Sequence, residues 1–150
     1  MRPSTLLTAA VLFCALLVPA IAEDIEPLRL IGLEIKDAVA ACGLPQEMFS
    51  FRGPEESLDN VVFYYPDHRY LFWYKNRVWQ VRCDRRFTGA VFGFTLGMTR
   101  EAAEKSSPWV LVPSGDSLYF DLEEASFPVR VRLVFTSSQL TDVYVYRSDF

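Results

Sequence analysis

The stretch Val129-Arg130-Val131-Arg132-Leu133-Val134-Phe135 decides the fold. Successive side chains of a β-strand point to opposite faces. Val129, Val131, Leu133 and Phe135 therefore form one wholly apolar face, and Arg130, Arg132 and Val134 form the other. A segment with that period pairs with other strands and packs one side on a core. Working outward, residues 140–146 follow across the turn Thr136-Ser137-Ser138, and residues 117–122 precede, joined to 109–112 by Ser114-Gly115-Asp116. Turn-forming residues separate four strand-like runs.

Further upstream the chain changes period. Thr95-Leu96-Gly97-Met98, an apolar–Gly–apolar step, leads into a predicted helix over 99–106, with the Thr99 hydroxyl placed to cap backbone amides and Glu101 near the positive end. A similar succession comes earlier. Leu30-Ile31-Gly32-Leu33 leads into a predicted helix over 34–42, which Gly43 and Pro45 end. Strand signals follow over 48–52, 61–65, 69–74 and 77–84, with turns at Pro66-Asp67 and Lys75-Asn76. The expected class is α+β: two tandem helix-plus-four-antiparallel-strand units, residues 23–87 and 88–150, in which 69–74 aligns with 130–135 and 81–84 with 143–146.

The Gly32 and Gly97 steps, the helices after them, Gly43-Leu44-Pro45 and the aromatic hairpins together resemble the β-lactamase inhibitor protein fold. They also resemble BamE of the SmpA/OmlA family, an outer-membrane assembly lipoprotein with one reduced version of that unit. The resemblance covers about residues 28–150. It implies a protein-binding role outside the cytoplasm, with a rim loop entering a partner's active site, for which Asp67 and Asp116 are the candidate tips. The chain departs from that pattern in having one candidate disulfide rather than one per repeat, and in lacking a convincing lipidation site.

The N-terminus carries an export pattern: Met1-Arg2-Pro3, an uncharged apolar run over 6–18, Pro19, and Ala20-Ile21-Ala22 before Glu23. Cleavage after Ala22 is expected, giving a periplasmic or secreted domain with no stable membrane insertion. Cys14 follows Phe13 inside the apolar run, a poor setting for lipid attachment. Loss of Arg2 takes the net charge from −4 to about −5, which gives no electrostatic attraction for nucleic acid. Cys42 and Cys83 are expected to bridge in an oxidising compartment, a link of roughly 3–4 kcal/mol in the chain-entropy model.

Carrying the 129–135 alternation through the repeat alignment assigns Tyr70, Phe72, Tyr74, Val81 and Cys83 to the core. It leaves a binding face of Arg69, Trp73, Arg82, Arg130, Arg132, Tyr144 and Tyr146, with Leu71, Gln80 and Tyr119 beside them. Arg, Trp and Tyr concentrate energy at protein interfaces, although they also pair across strands with no partner. The inverse choice in the first unit exposes His68, Tyr70, Phe72 and Tyr74 instead. Catalytic and metal signatures are lacking: His68 is the lone histidine, there is no Gly-x-Ser-x-Gly step, and Glu55-Glu56 and Glu123-Glu124 are adjacent acids in loop-like segments. The expectation is an exported, non-enzymatic module that binds an unidentified protein and needs no cofactor. The alternatives are an inhibitor of an extracytoplasmic enzyme, or a small ligand-binding protein or hydrolase.

Overall fold

The computed structural model describes residues 26–53, 60–123 and 126–149. The export signal with Cys14, the Glu55-Glu56 pair and Glu124 lie outside these residues. Two short helices open the fold, α1 (Pro27–Leu30) and α2 (Ile35–Cys42), followed by β1 (Glu47–Phe51), β2 (Asn60–Tyr64), β3 (Arg69–Tyr74) and β4 (Arg77–Asp84). A two-strand ribbon, β5 (Ala90–Val91) and β6 (Phe94–Thr95), leads to α3 (Arg100–Ser106). Then come β7 (Val112–Ser114), β8 (Ser117–Leu122), β9 (Val129–Thr136) and β10 (Gln139–Arg147).

Local chemistry sets these boundaries. Thr99 caps α3, its Oγ1 accepting from Ala102 N–H at 3.2 Å. Gly43, at φ 78°, ends α2 as its N–H bonds the Val39 carbonyl. Lys75-Asn76 and Ser137-Ser138 all take positive φ, the geometry of two-residue turns that match strand twist. Gly32, at φ 86°, brings its N–H to the Val78 carbonyl at 2.7 Å and packs so close to Phe127 that a Cβ there would sit 3.3 Å from the ring.

All the longer strands join one antiparallel sheet in the order β1-β2-β3-β4-β10-β9-β8-β7. This corrects the α+β expectation. Strands make up 48% of the described residues, which makes the fold mostly β, and two separate helix-plus-four-strand units are not what forms. β4 and β10 pair directly, with Cys83 opposite Val143 and Val81 opposite Val145, so one sheet and one core run through the whole. The physical reason is edge satisfaction: separate units would leave β4 and β10 with unpaired backbone groups beside apolar side chains. Val129, Val131, Leu133 and Phe135 face the core as the alternation requires, with Leu30, Ile31, Ala38 and Ala103 packing from the helical side.

The expected disulfide is also corrected, because Cys42 and Cys83 are free thiols. Burial pushes the Cys83 thiol up to about 12 and raises Cys42 as well. The thiolate that would attack to form or exchange a bridge is thereby disfavoured at both positions.

Candidate functional site

The helices and the β5–β6 ribbon pack on one side of the sheet, and the side chains alternating away from them form an open face. Register places six of those residues in one row across six strands: Tyr64, Tyr70, Arg82, Tyr144, Arg132 and Tyr119. The Tyr64 and Tyr70 ring centroids lie 4.8 Å apart. The Arg82 guanidinium sits 5.1 Å from the Tyr70 ring and 5.7 Å from Tyr144. Arg132 sits 5.9 Å from Tyr144 and 5.8 Å from Tyr119. Each cation therefore lies between two π faces, contacts worth about 0.5–1 kcal/mol apiece at exposed sites. One row along, Gln80, Tyr146, Arg130 and Asp121 face the same way, with Arg130 gripping Asp121 through bonds of 2.7 and 3.0 Å. Burial raises the Tyr144 and Tyr146 phenols, which keeps them protonated donors.

One end of this face is polar and the other is closed. At the polar end Asp84 accepts from the Arg86 guanidinium at 2.6 Å and from the Tyr70 hydroxyl at 3.0 Å, while Arg82 bonds Asp142 at 2.5 and 2.8 Å. These groups border a cavity of about 460 Å³. The Tyr64 hydroxyl and His68 Nδ1 lie 2.6 Å apart beside it. Toward β1 the face closes over aromatics: Phe72 meets Phe51 edge-on at 6.0 Å, and Trp79 Nε1 donates to Asn60 Oδ1 at 2.5 Å. A larger groove of about 1330 Å³ runs along β8, with Trp109 stacked on Phe120 at 4.6 Å.

Arg82, Arg130, Arg132, Tyr144 and Tyr146 are together on the open face. Arg69 and Trp73 are not. Arg69 pairs across the ladder with buried Cys83 and is ion-paired to Asp67, and Trp73 is buried against Phe63 at 5.0 Å. The core assignment in β3 is accordingly reversed: Leu71 and Trp73 are core, while Tyr70 and Phe72 belong to the other face. The two loop tips lie apart. Asp67 sits in the turn before β3, and Asp116 sits in the β7–β8 turn, accepting from Ser117 Oγ at 2.7 Å with Arg132 at 3.7 Å. Sequence reasoning missed Asp84, Arg86 and Asp142. The usable signal was the Arg82–Asp84–Arg86 alternation at the end of β4, which places all three near one another.

No known family matches the sequence, and no curated protein matches it. Among solved structures the fold is similar to an extracellular protein containing a SCP domain from Bacillus anthracis str. Ames, with a TM-score of 0.53 at 14% identity over 99% of this chain and 50% of that one. It is also similar to a cysteine-rich secretory protein from Staphylococcus aureus subsp. aureus Mu50, with a TM-score of 0.53 at 11% identity over 81% of this chain and 46% of that one. This chain spans about half the length of those proteins. These neighbours correct the expected resemblance to the β-lactamase inhibitor protein and BamE. At such identities the likeness is one of fold alone.

Proposed function

We propose that the chain is an exported, non-enzymatic binding module that engages a protein partner through the open face of its sheet. The observation that carries this reading is the six-strand ladder of Tyr and Arg, which no helix among the described residues covers. Rings and guanidiniums packed against one another lose little freedom on contact, and anchors of these types dominate protein interfaces. Export is supported by the N-terminal pattern and by neighbours whose own descriptions call them extracellular or secretory.

The test is a crosslinking pull-down from the native envelope and medium, using the wild type and the double variant Arg130→Ala/Arg132→Ala. Both side chains are 40% or more exposed. The expected result is loss of a partner that the wild type recovers, corresponding to about 2 kcal/mol or more of binding free energy, with the fold retained and the circular dichroism melt lowered only by the few degrees that loss of the Arg132 cation–π contacts costs. Identical partner sets for both proteins sink the reading. Recovery of the chain in the cytoplasm with residues 1–22 intact sinks the export half.

A further inference from the structure

The cavity at the polar end of the open face has an unbalanced lining. Asp84 and Asp142 are directly opposite each other on β4 and β10. Like charges so placed repel unless each is neutralised. Arg86 neutralises Asp84, and Arg82 neutralises Asp142. Those two ion pairs are complete in themselves. Arg85 borders the same cavity, is exposed, and has no ion pair or hydrogen bond among the described residues. Three guanidiniums therefore meet two carboxylates, and one positive charge is left over.

The rest of the lining consists of hydroxyls. Thr136 and Thr141 present Oγ1 atoms 3.3 Å apart on β9 and β10, and Tyr70 closes the opposite wall. No aliphatic side chain contributes. A volume of about 460 Å³ falls within the usual range of small-molecule sites, roughly 300–1,000 Å³. A monoanion restores neutrality there, whereas a dianion would set surplus negative charge against Asp84 and Asp142. We propose that this cavity binds a hydroxylated monocarboxylate of single-sugar size, a sugar acid, with Arg85 holding the carboxylate and Thr136 and Thr141 meeting its hydroxyls. Tyr70 and Arg82 belong both to this lining and to the ladder, but Arg85, Thr136 and Thr141 lie outside the ladder, so neither proposal requires the other.

Titration with glucuronate, followed by amide chemical shifts, tests this in the full chain at physiological ionic strength. Saturable shifts are expected at residues 84–86 and 136–142. Glucose, which lacks the carboxylate, and acetate, which lacks the hydroxyls, should each bind at least about tenfold more weakly, about 1.4 kcal/mol. Arg85→Gln should weaken glucuronate by a similar factor with an unchanged melting temperature, since the exposed Arg85 makes no hydrogen bond or ion pair among the described residues. The proposal is overturned if glucuronate gives no saturable shift at millimolar concentration. It is equally overturned if phosphate binds as tightly as glucuronate, which marks an unselective oxyanion contact, or if Arg85→Gln binds like the wild type.

Discussion

Asp84 is the residue in which burial and hydrogen bonding oppose each other most directly. It is only 6% exposed. Burial by itself raises its pKa, but the Arg86 guanidinium, the Arg86 backbone N–H and the Tyr70 hydroxyl outweigh that and hold it at about 2. Because the folded value lies below the ordinary 3.8, Asp84 stabilises the fold above about pH 4. That contribution is lost as pH falls from about 4 toward about 2. Urea midpoints measured across that window should fall for the wild type. Asp84→Asn should flatten that part of the curve and lower stability at neutral pH by about 1–3 kcal/mol, the worth of the hydrogen bonds that the buried carboxylate accepts. An unaltered acid slope in the variant contradicts the assignment. In the sequence only the Arg82–Asp84–Arg86 alternation hinted at this, because an Asp at a strand end reads as a turn residue until its partners are placed.

At the scale of the element, what was legible was whatever local chemistry decides. Thr99 reads as a cap and acts as one. Thr99→Ala should cost about 1 kcal/mol, visible as a melting temperature lowered by a few degrees, and Thr99→Ser should restore most of it. Strand positions were also legible, since turn residues bracket them. The face of β3 was not. The turn at Lys75-Asn76 pairs Tyr74 with Arg77 and Trp73 with Val78, but next Phe72 pairs with Gln80, so Trp79 is an extra residue in β4. Without that bulge Tyr70 would lie opposite Val81 and share its core face. With it, Leu71 takes that place. A one-residue shift of register turns every later side chain over, and β3 gives no warning because both of its faces are apolar. The β9–β10 hairpin carries the same bulge at Thr141, so Trp73 rather than Tyr74 is the counterpart of Phe135, and aligning 69–74 with 130–135 was one residue out.

For the molecule as a whole, helices of four, eight and seven residues cannot supply separate cores. The single cluster joins residues from both ends of the chain, so unfolding should be one transition. Trp73 and Trp79 report from β3 and β4, and Trp109 from the segment before β7. Their fluorescence and the far-ultraviolet dichroism should share one denaturation midpoint. Leu133→Ala should move both signals together, by about 2–5 kcal/mol. Two separated midpoints would mean that the halves are independent after all. The expected α+β class failed here because each helix–strand run is locally sound, while the decisive pairing joins segments some 60 residues apart and leaves no local mark. That pairing also imposes a timetable. β10 follows every other described strand in chain order and fills the slot between β4 and β9. As the polypeptide emerges from the ribosome N-terminus first, its middle therefore closes after its flanks. Until then two bare strand borders stand open to any passing chain, and a stop codon just before Gln139 would leave them open for good.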